Sequence, residues 1–546
     1  MRQKKFRYAV DTDQFQEIRE QGKVYVDKTE YIYNLVSNYK YVFLARPRRF
    51  GKSLLCNTFK AYFQGQKDLF EGLKIMELEK EWEKYPVLHF DISEIKNCAS
   101  LQSMRNVLSD MIARQEEAYE LEKTVDEIGA RFTRLLIHIY RKLGKRVVVL
   151  IGEYDSPLMR YLENDKMRDE IRTLLREFYQ VIKSSGEYLK FVFITGVTKF
   201  SQLSIFSELN NLNQISILDE FSGICGITQT ELDTVLRPCV EEYAENMGVT
   251  TEEAYALLKK NYDGYHFSRN SEDIYAPFSL LRALNNNTTD YYWFESGTMS
   301  SLIEHLKRFP EFNPLDYDGV HVSLEEFNVP CENAETPMPL LYQSGYLSID
   351  TYDKDFDEFV LHFPNREVRH GMVYGMTNYI IDDNGIDRDA SIVKMARSLV
   401  KGDLATALTV LRAYIASIPY DIITKKEWMA KQSREGFYKM LMYIIFSLLN
   451  SKIDTEVKSI LGRADVVIKT KNDIYVLELK VDKSVDDALA QIESKDYAIQ
   501  YTADGRKITK CGITISTESR NIVHWKAVSE SGEVVDEQEF GIEDRE

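Results

Sequence analysis

Two stretches of this sequence set charged and hydroxyl-bearing residues at spacings that suit phosphate chemistry. In the first, Phe43-Leu-Ala-Arg-Pro-Arg-Arg-Phe-Gly-Lys-Ser-Leu-Leu-Cys-Asn-Thr-Phe59, the triplet Gly51-Lys52-Ser53 follows the apolar run Tyr41–Ala45 and opens a helix-forming segment. A phosphate-binding loop needs that order. Backbone N–H groups at the helix start face phosphate oxygens, the lysine reaches the β and γ phosphates, and the serine hydroxyl holds Mg²⁺. Gly51, Lys52 and Ser53 are therefore candidates to bind ATP, with Ser53 as a candidate metal ligand. The first glycine of the GxxxxGK[ST] pattern is replaced by Arg46, and Arg46, Arg48 and Arg49 are candidates for further phosphate contacts. The alternative is a surface turn that carries Gly-Lys-Ser by chance; a strand before it and a helix after it favour the loop.

A phosphate loop works with a second apolar strand that ends in acidic residues, one for Mg²⁺ and one for the attacking water. Val147–Ile151 supplies the strand, and Gly152-Glu153 follows it. Glu153 is the candidate for the water, Gly152 stands where the metal-linked aspartate is expected, and Asp155 lies just beyond. A third strand, Phe191–Ile194, runs into Thr195, which either senses the γ-phosphate or merely terminates the strand.

The second stretch lies near the C-terminus. Asp465 closes Gly462-Arg-Ala-Asp465, and thirteen residues later Ile474-Tyr-Val-Leu-Glu-Leu-Lys-Val481 places Glu478 and Lys480 two apart, on one face of a strand. A carboxylate and an ammonium on an otherwise apolar strand are costly unless they are used or paired. Metal-dependent phosphodiester hydrolysis uses such a set: Asp465 and Glu478 to hold Mg²⁺ or Mn²⁺, and Lys480 near the attacking water. Gln491, on a helix expected over Asp486–Tyr497, and Glu435, at the start of the apolar helix Phe437–Leu449, are further candidates. The competing reading is an ordinary Glu–Lys pair on an exposed face.

The elements around these residues suggest three regions. Residues 1–285 alternate buried-type strands (Tyr41–Ala45, Val87–Phe90, Val147–Ile151, Phe191–Thr195) with helices, as in a parallel sheet covered on both faces; helical spacing over Glu231–Tyr243 and Thr251–Tyr262 closes that region. Residues 286–385 form a middle region punctuated by Pro and Gly. Residues 386–546 begin helical and then return to short strands.

Composition narrows the class. At 546 residues and 44% hydrophobic the chain is a multidomain globular protein. It has no apolar run long enough to span a bilayer and no signal-peptide core, so a cytoplasmic location without membrane association is expected. The six cysteines are scattered without a CxxC pair, which argues against zinc. A net charge of −17 opposes unselective nucleic-acid binding, yet residues 450–510 carry eleven Lys+Arg against eleven Asp+Glu.

Taken whole, the chain resembles a bacterial family in which an AAA-ATPase-like domain is fused to a PD-(D/E)XK nuclease domain. The matching stretches are Tyr25-Val-Asp-Lys-Thr29, Arg46–Ser53, Thr195-Gly-Val-Thr-Lys-Phe200, Ser204-Ile-Phe-Ser207, Tyr262-Asp-Gly-Tyr-His-Phe267, Leu341-Tyr-Gln-Ser-Gly-Tyr-Leu347, Phe363-Pro-Asn365, Gly462–Asp465 and Glu478–Lys480. The resemblance implies an α/β fold: a P-loop AAA-like domain with a helical subdomain, a middle α+β region, and a restriction-endonuclease-like C-terminal domain. It implies that Arg46 is the family's own loop variant. It also implies Ile-Asp-Glu-Tyr-Asp where this chain has Ile151-Gly-Glu-Tyr-Asp155. The expected function is a nucleotide-controlled, metal-dependent nuclease acting on DNA or RNA, with ATP hydrolysis weakened by Gly152. The alternatives are a non-catalytic ATP-sensing scaffold and a nucleic-acid-binding remodeller; homo-oligomerisation is compatible with each.

Overall fold

The computed structural model describes residues 5–162, 164–199, 211–293, 298–306, 308–309, 312, 317–331, 334–380, 388–416, 438, 441–442, 444–446, 448, 456–458 and 466–541. The chain forms two compact units: Met1–Ser296 with Asp318–Val368, and Gly297–Tyr317 with Arg369–Glu546. The stretch expected as a middle region is thus divided between the two.

In the first unit, β1 (Tyr41–Ala45), β2 (Val87–Asp91), β3 (Val147–Gly152), β4 (Leu189–Gly196) and β5 (Asn213–Gln214) form an all-parallel sheet in the order β2-β3-β4-β1-β5. Continuous Val/Leu/Ile/Phe runs produce this arrangement because each central strand is covered on both faces. One face packs on the helices Leu101–Ala118, Ile128–Leu143 and Asp165–Ser184 through Phe90, Val149, Ile151, Phe132 and Phe178. The other carries the helix Lys52–Phe63, whose Phe59 rests on Phe191 and Phe193. Every strand brings its C-terminal end to one edge, where loops and helix N-termini collect.

A helical subdomain follows, together with the short pair β6 (Ile227–Thr228) and β7 (Ile274–Tyr275). The single helix expected over 231–243 is two, Gln229–Thr234 and Arg237–Met247. Pro238 explains the break: it lacks an N–H and crowds a helix interior, but suits a first turn. Thr228 and Thr250 start their helices with capping boxes to Glu231 and Glu253. Glu231 also takes a partly buried ion pair from Lys28, 2.6 Å away, fastening the N-terminal segment to the subdomain. The 318–368 segment adds an antiparallel sheet, β8 (Val320–Val322), β9 (Ser348–Asp353) and β10 (Glu358–His362), in the order β8-β10-β9.

In the second unit β11 (Glu456–Lys458), β12 (Val466–Lys469), β13 (Asp473–Val481), β14 (Lys507–Ser516), β15 (Asn521–Ser529) and β16 (Val534–Glu539) lie in chain order. All pairs are antiparallel except β13–β14, which is parallel and is bridged by the helix Val485–Ser494. That helix lies close on the sheet: a Cβ on Gly512 would come within 2.5 Å of the Val485 carbonyl oxygen. Only glycine accepts so near an approach. The opposite face of β13 is anchored by Tyr475, whose hydroxyl donates to the Leu399 carbonyl at 3.1 Å.

Glu367 ties the first unit's late segment to its helical subdomain. Its carboxylate is almost wholly buried and accepts the Trp293 N–H at 2.8 Å. Burial pushes its pKa from the ordinary 4.5 up to about 8, against the smaller lowering by hydrogen bonds from Trp293 and Ser279 and by Arg49. The folded form therefore keeps a proton that the unfolded chain releases near 4.5. The associated stability is full below pH 4.5 and is lost as pH rises through about 8. The thermal midpoint of this unit should fall between pH 5 and 8 in wild type, and Glu367→Gln should flatten that slope in pH-dependent calorimetry; an unchanged slope would remove Glu367 as its origin.

Candidate functional site

The turn after β1 is built as a phosphate loop. Gly51 holds φ +87°, a left-handed conformation at the N-terminus of the Lys52–Phe63 helix that suits glycine. Lys52 is buried, and its Nζ donates to the carbonyls of Arg46 (3.2 Å) and Pro47 (3.1 Å) on its own loop. Its third neighbour is Glu153, with Oε1 at 3.2 Å. Ser53 is exposed at the helix start, beside backbone N–H groups that no turn precedes. Lys52 and Glu153 thus come together from the ends of β1 and β3, although β4 lies between those strands. Glu153 itself has φ +48°, a conformation that costs a non-glycine residue energy and that clusters at functional sites.

The three loop arginines differ. Arg46 is buried, donates to the carbonyls of Ala45, Ser216 and Phe221, and stacks on Phe267 with 4.1 Å to the ring centroid. Its guanidinium anchors the loop to the segment that carries Ser216 and Phe221. Arg49 stacks on Phe278 at 3.8 Å and reaches the Tyr292 carbonyl. Arg48 is half-buried near Tyr346 and has no hydrogen-bond acceptor among the described residues.

Two polar side chains near the strand ends are engaged by neighbouring groups. The Thr195 hydroxyl is buried and donates to the Leu44 carbonyl at 2.7 Å, so its proton is committed to the neighbouring strand. Asp155 is buried and accepts from the N–H groups of Val197 and Thr198 and from the Thr198 hydroxyl, the last at 2.6 Å. Burial raises its pKa, and the Glu153 carboxylate raises it further, while those hydrogen bonds pull it down. Asp155 fastens the exit of β4. Gly152 ends β3 with open space around it: a Cβ there would meet nothing within 4 Å.

A cavity of about 100 Å³ opens beside Gly51, lined among others by Tyr25, Val26, Phe50, Thr58, Pro277 and Leu281. Its walls come from the N-terminal segment, the loop and the helical subdomain. Sequence reasoning missed it because no local pattern announces that these distant apolar residues share one cavity.

In the second unit, β13 carries an apolar half and a charged half on the same face. Ile474 and Val476 pack with Ile492 and Tyr497; then come Glu478, with no solvent exposure, and Lys480. Lys480 Nζ lies 3.2 Å from Glu478 Oε1 and 2.6 Å from Gln491 Oε1. Gln491 projects from the helix Val485–Ser494, shorter than the 486–497 expected, and its Nε2 donates to the Tyr497 hydroxyl at 3.3 Å. Tyr497 therefore orients the amide that holds Lys480. Its signal in the sequence was faint: one hydroxyl-bearing aromatic six residues after Gln491.

The pair is not the exposed one that the competing reading required. Asp465 and Glu435 lie outside the described residues. Val466, the residue after Asp465, pairs with Leu477, the residue before Glu478. Among the described residues no three His, Cys, Asp or Glu side chains are close enough to hold a metal ion. None of the described helices is long and apolar enough to cross a membrane, and all six cysteines are free and buried.

A family model described as "Predicted AAA-ATPase" matches residues 9–206, a span that includes the loop, Glu153 and Thr195. One described as "PD-(D/E)XK nuclease superfamily" matches residues 433–525, which include Glu435, Asp465, Glu478, Lys480 and Gln491. Over 533 residues the chain is 32% identical to an "Uncharacterized protein in vnfD 5'region" of Azotobacter chroococcum mcd 1, covering 96% of this chain and 98% of that protein. With both domain matches on a chain similar end to end to that relative, this protein belongs to the family that joins an N-terminal AAA-ATPase-like domain to a C-terminal PD-(D/E)XK nuclease domain.

Proposed function

We propose that the protein is a Mg²⁺- or Mn²⁺-dependent nuclease that hydrolyses phosphodiester bonds of DNA or RNA and is controlled by ATP bound in its first unit. The observation that carries this reading is the buried Glu478–Lys480–Gln491 cluster within the nuclease-family span. Glu478, with Asp465, holds the metal; a buried carboxylate is retained at such cost when its charge is used. A divalent cation held by these residues would supply Lewis acidity toward the scissile phosphate and its attacking water. Lys480 orients the attacking water and offsets charge growing on the phosphate, while Gln491 and Tyr497 keep its ammonium in place. Asp465→Ala and Lys480→Ala should each lose roughly a hundredfold or more of Mg²⁺- or Mn²⁺-dependent cleavage. Full cleavage by both purified variants would refute the assignment.

In the first unit ATP replaces the loop carbonyls as the partner of Lys52, Ser53 meets the Mg²⁺ that accompanies the phosphates, and Arg48 is the loop arginine left to contact them. The cavity beside Gly51 offers apolar walls for the base. Mg-ATP should raise the melting temperature, since at a hundredfold excess over Kd such binding contributes about 2.7 kcal/mol. Lys52→Ala should abolish that shift; equal shifts in both proteins would end the P-loop reading.

Gly152 favours a second reading, in which the first unit senses ATP without brisk turnover. Position 152 carries no carboxylate, and Asp155 accepts hydrogen bonds from Thr198. Gly152→Asp, for which there is room, should raise steady-state phosphate release roughly tenfold or more while ATP affinity changes little. Rapid turnover by wild type, unaltered by the substitution, would show that the missing aspartate is immaterial.

A further inference from the structure

The missing carboxylate at 152 has a neighbour that neither domain motif accounts for. Asp91 ends β2 as Gly152 ends β3, and the two are register partners in a parallel pair. The residues before them, Phe90 and Ile151, belong to the core that includes Phe132 and Phe178. Alternation then directs positions 91 and 152 to the opposite face, the one covered by the Lys52–Phe63 helix. The space that a side chain at 152 would enter is open, and Asp91 borders it from one strand away.

Asp91 is also held in place. Its Oδ1 accepts the Ser93 N–H at 3.0 Å, in the turn that leads into the short helix Ile92–Ile95, and its side chain is solvent-exposed. Its other oxygen has no hydrogen bond among the described residues. A second observation locates the charge. Cys56, one turn after Ser53 in the loop's helix, has its thiol pKa raised first by burial and by Cys225, then by the carboxylates of Glu153 and Asp91, while Lys52 lowers it. The four groups share one electrostatic neighbourhood.

We propose that Asp91 substitutes for the absent strand-end aspartate, accepting a hydrogen bond from a water on the Mg²⁺ of bound Mg-ATP. The step of one strand spacing, about 4.8 Å, is too wide for a direct replacement but suits one intervening water. Mg²⁺ keeps several waters and is commonly held through them. Ser53 would hold the ion together with the phosphates, and Asp91 would orient a water on it.

This inference rests on the ATP-binding reading, and its test separates the two. Asp91→Asn keeps an acceptor for Ser93 and so preserves the turn. Affinity for ATP is measured by thermal shift with EDTA and with Mg²⁺, in wild type, Asp91→Asn, Gly152→Asp and the double variant. The expected result is an unchanged ATP affinity in EDTA for Asp91→Asn, a roughly tenfold loss of the Mg²⁺-dependent gain, and its recovery in the double variant. An undiminished Mg²⁺ gain in Asp91→Asn overturns the proposal while leaving ATP binding intact. Equal losses with and without Mg²⁺ assign Asp91 a structural role and also overturn it. Absence of any ATP shift in wild type overturns the binding reading itself.

Discussion

A charged side chain taken out of water must meet a partner, and both candidate sites are organised by that constraint. Lys52 enters the interior at the end of β1 and Lys480 at the end of β13, each surrounded by acceptors before any ligand arrives. Loop carbonyls and Glu153 hold one; Glu478 and Gln491 hold the other. Such arrangements are pre-organised, because a ligand has only to replace acceptors already aimed at the ammonium. They also explain why the surrounding strands are so uniformly apolar: the remainder of each strand has to fund the burial through packing.

The first unit shows how sheet topology distributes the remaining roles. An all-parallel sheet collects its C-terminal strand ends at one edge, so residues from β1, β2, β3 and β4 converge although more than forty residues separate successive strands in places. Convergence does not make each polar residue a ligand. Asp155 accepts from the backbone and hydroxyl of Thr198, Thr195 donates to the neighbouring strand, and Arg46 engages four carbonyls and an aromatic face. These groups fix the loop's shape: Arg46, in place of the loop's first glycine, ties it to the carbonyls of Ser216, Phe221 and Ser222.

The second unit achieves its site with fewer elements. One strand supplies a carboxylate and an ammonium, and one crossover helix supplies the amide that positions them. Gly512 permits the helix to lie close enough for Gln491 to reach Lys480. Tyr497, beyond the helix end, completes the chain of hydrogen bonds.

Local pattern was sufficient for much of this. The buried strands were legible because runs of Val, Ile, Leu and Phe without polar alternation suit only strands covered on both faces, and Tyr41–Ala45 and the Thr251–Tyr262 helix have the bounds expected. Gly51-Lys52-Ser53 and the Glu478–Lys480 spacing were legible because their chemistry is set by residue type and a short period. The split of the 231–243 helix at Pro238 was also written in the chain, though helical periodicity masked it. What the sequence alone could not determine is which polar groups are already satisfied. What Thr195, Asp155 and Arg46 face depends on partners between 43 and 176 residues away, and Asp91 neighbours Gly152 only through strand pairing. Residue type and spacing act over a few positions, whereas hydrogen-bond satisfaction is decided by packing across the whole unit, so that assignment belonged to the tertiary structure.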